Sequence, residues 1–278
     1  MKKAGIVACS DAVKKEHKKY SDELVGFLRS IGITPLLSSC IYKKNGSIFS
    51  GTSKEKADQL MRMFSDPEME EIYDISGGDM ANELLDDLDY ERIAASKAVL
   101  WGYSDLTAVL NAIYTMTGKK SVLYQVRFLT SFGGSGDIQR QRFQNREELF
   151  SPSFELVRGD SMRGVVVGGN IRCFLKLAGT RYFPELEGKL LLLEAHSGEV
   201  PQMITYLSQL RQLGAFDKVN GIILGTFMSM ERGNCVPDIT ALVKKYIHPQ
   251  TPVALTSEIG HGDDSKAIMI GKEIKISS

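Results

Sequence analysis

Along the first hundred residues, short apolar stretches alternate with longer segments in which apolar residues recur every three or four positions. The apolar stretches predict buried strands at AGIVACS, ITPLLSS, EIYDISGG and AVLWG. The segments between them, residues 14–30, 53–66 and 81–96, have the period of amphipathic helices, and Ser53 is the expected N-cap of the second. Because strands that alternate with helices form βαβ units, this half of the chain predicts a parallel sheet covered by helices.

The same alternation returns in the second half after a polar, glycine-rich interruption. Residues 129–150 lack an apolar period, and we expect them to form a linker or lid. Strands are predicted at GVVVGGN, KLLLLEA, VNGIILGTF and PVALTSEIGHG, with helices between them, and KAIMIGKEIKI at the end predicts a hairpin that turns at Gly271. The pattern therefore indicates an α/β protein with an N-terminal parallel-sheet lobe (1–125), a connecting segment (126–163) and a smaller C-terminal α/β lobe (164–278).

Composition narrows the class of protein without identifying its chemistry. Hydrophobic residues make up 43% and charged residues 24%, as in globular proteins, and 34 basic residues balance 34 acidic ones. The absence of a basic stripe, of a basic amphipathic helix and of a long apolar run argues against nucleic acid and membrane partners. The cysteines lack CxxC spacing, which argues against zinc and against disulfides and favours thiols in a reducing cytoplasm; they are Cys9, Cys40, Cys173 and Cys235.

The segment VLWGYSDLTAVLNAIY, residues 99–114, runs from a strand directly into an amphipathic helix, with Ser104 at the junction. A serine before a helix usually caps the first turn with its hydroxyl. The same position also suits a nucleophile on a sharp strand-to-helix turn, an elbow with small residues two before and two after the serine. Gly102 meets the first requirement, whereas Leu106 occupies the second position. Both interpretations of Ser104 remain open from this segment alone.

A serine nucleophile requires a general base, and two of the four histidines are placed to supply one. His17 lies on a lysine-rich helix face and His248 lies in a loop, so both are expected to be solvated. His196 directly follows the strand LLLLEA, and His261 lies between glycines after the strand that precedes EIGHGDD. The flanking glycines favour His261, because they allow its side chain to project into a cleft; His196 is the competing base.

An acidic partner for the base and a pair of backbone donors complete the candidate chemistry. Glu194 ends the apolar strand KLLLLEA, where a carboxylate needs a hydrogen-bonding partner, whereas Glu199 is expected to be a loop charge. The glycine pair in ISGGDMANELL either forms a plain turn or directs amide donors at a site. Because ligands bind beyond the carboxyl ends of parallel strands, these positions are expected to converge.

Six segments together resemble the LD-carboxypeptidase family of serine peptidases, which includes the microcin C self-immunity hydrolases. They occur in the order ISGGDMANELLDDLDY, WGYSDLTAVLNAIYTMTG, GVVVGGN, LAGTRYFPELEGKLLLLEA, LRQLGAFDKVNGIILGTF and IGHG, and the resemblance extends over residues 5–276. It implies that Ser104 is the nucleophile, with Glu194 and His261 completing the triad. It also implies an oxyanion hole formed by the backbone amides of Gly78 and Asp105, a homodimer, and chemistry without a metal or organic cofactor.

The resemblance implies a substrate that is a small peptide or an aminoacyl nucleotide. The first expectation is L,D-carboxypeptidase action on muropeptide tetrapeptides, which releases D-alanine. The alternative is hydrolysis of aminoacyl or peptidyl nucleotides, as in the microcin-immunity branch, whose GG-x-x-x-N-x-LL spacing this chain shares. A third possibility, from the residues alone, is a non-catalytic α/β protein that holds an anion or small metabolite on its glycine turns.

Two further observations bear on the substrate. A carboxypeptidase needs an anchor for the substrate's free carboxylate, and Arg127 and Arg140 lie in or beside the connecting segment. A nucleotide needs a stacking platform, but the single tryptophan, Trp101, lies in the strand before Ser104. The connecting segment offers only phenylalanines for stacking, namely Phe128, Phe132, Phe143 and Phe150. These residues favour the tetrapeptide over the nucleotide.

Overall fold

A computed structural model describes residues 2–44, 46–134 and 136–277, and these residues form two six-stranded sheets. The strands are β1 (Lys2–Val7), β2 (Ile33–Leu37), β3 (Met69–Asp74), β4 (Val99–Gly102), β5 (Ser121–Leu123), β6 (Glu155–Arg158), β7 (Ser161–Asn170), β8 (Leu190–Ala195), β9 (Gly221–Phe227), β10 (Val253–Leu255), β11 (Ile268–Ile270) and β12 (Glu273–Ser277).

Parallel pairing dominates both sheets. The first sheet has the order β11-β5-β4-β3-β1-β2, and only its edge strand β11 is antiparallel to its neighbour. The second has the order β12-β7-β8-β9-β10-β6, with parallel β7 to β10 between two antiparallel edge strands. The apolar runs of β1 and β8 are buried on both faces, as covered parallel strands require. The predicted α/β class is confirmed.

Helices cover both faces of these sheets. They are α1 (Lys18–Ser30), α2 (Ser53–Ser65), α3 (Tyr90–Ala95), α4 (Thr107–Thr117), α5 (Gly136–Gln144), α6 (Arg146–Leu149), α7 (Ile171–Leu175), α8 (Val200–Gln212), α9 (Ala215–Lys218), α10 (Met228–Arg232) and α11 (Ile239–Val243). Short 3₁₀ turns occupy Lys15–His17, Ala81–Asp87, Ser104–Leu106 and Val126–Leu129. Within the described ranges, no helix is long and apolar enough to cross a membrane.

The N-cap predicted for α2 is wrong by one residue. Thr52 has the extended backbone of a cap, and its side chain accepts from the Glu55 amide while the Glu55 carboxylate accepts from the Thr52 amide. The Ser53 hydroxyl instead lies 2.8 Å from Asp87 Oδ2. Two adjacent hydroxyl residues are equivalent in sequence, and only the backbone angles distinguish them.

The end of the chain does not form the predicted hairpin. After β11 the backbone turns at Gly271, whose φ is +84°, but β11 pairs with β5 in the first sheet and β12 pairs with β7 in the second. The last two strands therefore join the two sheets. The division into lobes at residues 125 and 163 stays a prediction. The strand pairings show that β11 forms an edge of the first sheet and that β6 forms an edge of the second.

The segment predicted as a linker or lid is helical and packed on the first sheet, so that prediction is wrong. Phe143 of α5 is buried against Tyr73 and Trp101, and the guanidinium of Arg146 in α6 stacks on the Phe143 ring. Gln139 is also fully buried, with its amide bonded to the Asp263 and Ser265 carbonyls. The polar pattern is misleading here because these polar side chains have partners inside the protein.

Candidate active site

Ser104 follows β4 on a strained turn. Tyr103 is extended, whereas Ser104 has a φ of +54° and opens the 3₁₀ turn that leads into α4. This left-handed conformation costs a non-glycine residue on the order of 1–3 kcal/mol and occurs mainly at functional sites. No side-chain capping bond is made at the start of this turn or of α4. The capping interpretation is therefore wrong, and the geometry is that of a nucleophile elbow.

The large residue two positions after the serine explains why Gly102 precedes it. A Cβ built on Gly102 would lie 2.6 Å from the Cβ of Leu106 and 2.9 Å from its Cγ. Leu106 itself is fully buried in the core cluster behind the turn. Because Leu106 fills the space between the two flanking positions, only glycine fits at the first of them.

Glu194 and His261 come together from different strand ends of the second sheet. Glu194 is fully buried near the end of β8, and its Oε2 lies 2.7 Å from His261 Nδ1. The Tyr103 hydroxyl lies 3.2 Å from the same oxygen and 3.2 Å from the same nitrogen. With Nδ1 engaged by the glutamate, the Nε2 atom of His261 is the one available to a nucleophile.

Among the described residues, Ser104 Oγ makes no hydrogen bond to His261 or to His196. Ser104 nevertheless directly follows Tyr103, whose ring packs edge-on against His261 with centroids 4.6 Å apart. Catalytic hydrogen bonds are often long before substrate binds, so this geometry is compatible with a serine–histidine pair.

The glycine turn after β3 leaves an amide donor unengaged. Gly78 has a φ of +130°, and a Cβ there would lie 2.0 Å from the Asp11 carboxyl carbon, so no other residue fits. The Asp11 carboxylate accepts from the Asp79 amide at 3.0 Å, which holds the turn from one side. In the described ranges, the Gly78 N–H donates no backbone hydrogen bond. This N–H is therefore free to bind an anionic oxygen.

Residues 4–124 match the sequence profile of the LD-carboxypeptidase N-terminal domain, and residues 163–276 match that of the C-terminal domain. The chain belongs to the LD-carboxypeptidase family. It is 28% identical over 293 residues to a probable murein peptide carboxypeptidase of Bacillus subtilis, covering 99% of this chain and 88% of the relative. It is 26% identical over 301 residues to the microcin C7 self-immunity protein MccF of Escherichia coli, covering 90% and 87%.

Solved structures of this family share the fold. Muramoyltetrapeptide carboxypeptidase from Oxalobacter formigenes superposes with a TM-score of 0.82 at 22% identity, covering 99% of this chain and 95% of that one. MccF in complex with glutamyl sulfamoyl guanosine gives a TM-score of 0.87 at 22% identity, covering 99% and 93%. The two-sheet architecture described above is therefore that of LD-carboxypeptidase structures.

His196, the competing base, lies beside His261 of the predicted triad. Its ring centroid is 4.7 Å from that of His261, but Glu194 Oε2 is bonded to His261 and not to His196. Partial burial and the neighbouring His261 lower the pKa of His196, which favours its neutral form. Glu199, expected as a loop charge, is exposed at the N-cap position of α8, where its amide donates to Gln202 Oε1 at 3.1 Å. The geometry favours His261 as the base.

Asp105 has a second role that its sequence position does not reveal. Its carboxylate is fully buried and accepts from Ser10 Oγ at 2.6 Å and from the Ala81 amide at 2.7 Å. Lys176, which follows α7 in the C-terminal half, bonds both to this carboxylate and to the carbonyl of Asp79. These contacts fix the glycine turn against the serine turn, and so fix the two predicted oxyanion donors relative to each other.

The two candidate carboxylate anchors lie in different surroundings. An Nη2 atom of Arg127 is 3.5 Å from the position of a Cβ built on Gly77, beside the oxyanion turn. Arg140 donates from Nε to the Leu129 carbonyl at 2.7 Å and lies over the Phe27 ring. The Arg127 guanidinium therefore lies next to the glycine turn.

Proposed function

We propose that the chain is a serine peptidase that cleaves an amide bond near the C-terminus of its substrate. The proposed reaction is L,D-carboxypeptidase action on a muropeptide tetrapeptide, with release of D-alanine. The observation that carries it is the 2.7 Å contact between His261 and the buried Glu194, formed beside a serine held at a φ of +54°. The murein peptide carboxypeptidase of Bacillus subtilis, to which the chain is 28% identical, supports the choice of substrate.

In the proposed mechanism, Ser104, His261 and Glu194 act as nucleophile, base and orienting acid. His261 Nε2 takes the Ser104 hydroxyl proton as Oγ attacks the carbonyl carbon, and Glu194 stabilises the imidazolium that forms. The tetrahedral intermediate collapses as Nε2 gives that proton to the departing amine, leaving an acyl-enzyme on Ser104. His261 then deprotonates a water molecule, which attacks the ester and releases the shortened peptide and the serine hydroxyl.

The backbone amides of Gly78 and Asp105 would hold the oxyanion in both steps. Removing one such donor typically costs about 3–4 kcal/mol of transition-state stabilisation, because preorganised dipoles need no reorientation during the reaction. The turn that carries Gly78 is held by Asp11, and the turn that carries Asp105 is held to it by the Asp105 carboxylate. This rigidity supports the proposed assignment of both donors.

We assign the substrate's terminal carboxylate to Arg127. Arg127→Gln is expected to lower kcat/KM for a tetrapeptide about 100-fold, since a charge-assisted bidentate contact is lost. The same variant should cleave a C-terminally amidated tetrapeptide at the wild-type rate, because that substrate offers no carboxylate. Arg140→Gln is the matched control and should leave both rates unchanged. An equal loss on both substrates would contradict the assignment.

The second candidate function is hydrolysis of an aminoacyl nucleotide, because MccF is 26% identical to this chain. One observation favours the tetrapeptide. Of the four phenylalanines considered as a stacking platform, Phe128 and Phe143 are buried and Phe150 is half-buried against the core; Phe132 is 39% exposed. The Arg127 guanidinium covers the Phe132 ring at 4.4 Å, so this ring is already stacked.

A competition assay tests the choice between these substrates. We expect the tetrapeptide to be cleaved with a higher kcat/KM than an aminoacyl adenylate analogue, with D-alanine identified among the products by mass spectrometry. A tenfold preference for the nucleotide, equivalent to about 1.4 kcal/mol of transition-state stabilisation, would replace the proposed function with the immunity-type reaction.

We also propose that the protein is a cytoplasmic homodimer that acts in peptidoglycan recycling. The cysteines support the compartment, since Cys9, Cys40 and Cys173 are buried free thiols and Cys235 is also unpaired. The proposed substrate supports the role, because a muropeptide is a fragment of the cell wall.

A further inference from the structure

The glutamate of the proposed triad is held through one of its two oxygens. Glu194 is fully buried, and Oε2 receives both His261 Nδ1 at 2.7 Å and the Tyr103 hydroxyl at 3.2 Å. Oε1 is buried as well, and in the part of the chain that the structure describes it has no hydrogen-bond partner. A buried carboxylate is costly unless donors compensate its charge. Here that compensation comes from His261 and Tyr103.

The Tyr103 side chain is suited to remain a donor at every working pH. Burial, together with the charge of Glu194, raises the pKa of its hydroxyl well above the usual range, so the phenol stays protonated. Its ring also stands edge-on to the His261 ring, with centroids 4.6 Å apart. Tyr103 therefore contacts both partners of the nucleophile, while its own backbone leads directly into Ser104.

We propose that Tyr103 is a positioning residue for the proposed triad, whose hydroxyl holds the Glu194 carboxylate and the His261 ring in their places. The inference rests on the serine-peptidase function proposed above. It extends that function by assigning control of the base to a residue that does not touch substrate.

Loss of the Tyr103 hydroxyl is expected to move the pH profile of activity to higher pH. Without the Tyr103 hydroxyl, Glu194 keeps a single donor and attracts the imidazolium more strongly. The neutral imidazole that accepts the serine proton is then formed only at higher pH. The His196 ring also lies near His261, with centroids 4.7 Å apart, and Arg232 in turn acts on His196. Both are unchanged by a substitution at Tyr103.

The experiment compares Tyr103→Phe with Tyr124→Phe. Tyr124 is the matched control because its buried hydroxyl donates to Gln139 Oε1 at 2.8 Å, in the first-sheet core. Tyr103→Phe is expected to lower kcat about tenfold, with KM within about twofold, since one hydrogen bond to a charged group is lost. The acid limb of its kcat/KM profile should move up by about half a pH unit. Tyr124→Phe should keep the wild-type kcat and profile.

A second variant keeps the test decisive if Tyr103→Phe folds poorly. Replacing Tyr103 with 3,5-difluorotyrosine retains the shape and gives a stronger donor, so the acid limb should move to lower pH. Labelling of Ser104 by a fluorophosphonate tests the underlying function separately. If wild type is labelled but neither Tyr103 variant shifts the profile, the role of Tyr103 is refuted and the proposed function stands. If wild type is not labelled, the serine-peptidase proposal fails and this inference fails with it.

Discussion

Ser104→Ala is expected to lower kcat at least about 1,000-fold, as loss of a triad nucleophile does elsewhere. In the proposed mechanism the acyl-enzyme forms on Ser104 Oγ, so the variant would keep only the contribution of the proposed oxyanion donors and of substrate binding. KM should change little, because the N-cap positions of the 3₁₀ turn and of α4 are Tyr103 and Leu106, so Ser104 caps neither element. Steady-state kinetics on the tetrapeptide, with a thermal melt for each variant, measures both effects.

Two controls separate chemistry from folding in this experiment. Ser53→Ala removes a serine hydroxyl that bonds Asp87 at 2.8 Å near the surface, and it should keep full activity. Ser104→Gly should be as inactive as Ser104→Ala yet more stable by about 1 kcal/mol, since glycine adopts the φ of +54° without strain. If Ser104→Ala keeps a tenth of the wild-type rate, Ser104 is not the nucleophile.

His261→Ala is expected to lower kcat by a similar factor, at least about 1,000-fold, whereas His196→Ala should mainly raise KM. His261 Nδ1 is bonded to Glu194, which leaves Nε2 to carry the proton, while among the residues that the structure describes no carboxylate bonds to His196. Kinetics of the two variants on the same tetrapeptide give the comparison. The reverse pattern would transfer the role of base to His196.

The same base implies that wild-type activity falls as the pH drops from about 8 to about 5, where histidines titrate. A protonated imidazole cannot accept the serine proton, so the loss lies on the acid side. Because partial burial and the nearby His261 lower the pKa of His196, His196 is neutral in the upper part of this range and does not cause the decline there. A flat rate between these pH values would argue against a histidine base.

Local sequence pattern was sufficient for the α/β class and for most of the parallel strands, although β10 ends at Leu255, well before the end of the predicted strand PVALTSEIGHG. A strand that is buried on both faces, such as β8, needs apolar side chains at consecutive positions, and such a run is visible in the sequence. It also located the residues of the proposed triad, because a serine, a glutamate and a histidine at strand ends are visible without the fold. The predicted roles of these residues stay predictions until they are tested.

Contacts between residues far apart in the chain decided the rest. Whether Ser104 caps a helix depends on its φ, and the need for Gly102 depends on the position of Leu106. Partners more than 20 residues away along the chain also decide the positions of several elements. These are the helices α5 and α6, the strands β11 and β12, and the contacts of Asp105. The period of the apolar residues indicates which face of a helix or strand is buried, but it does not indicate which other element packs against that face.

Tyr103 shows the limit most clearly. In the sequence it is an aromatic residue before a serine, and nothing nearby distinguishes a core phenol from a hydrogen-bond donor. Its two partners, Glu194 and His261, lie 91 and 158 residues away along the chain. The sequence by itself thus determined most of the strands and helices of the two sheets, together with the chemical groups available near their ends. Only the tertiary structure decided which of those groups meet, because hydrogen bonds and steric limits act across space.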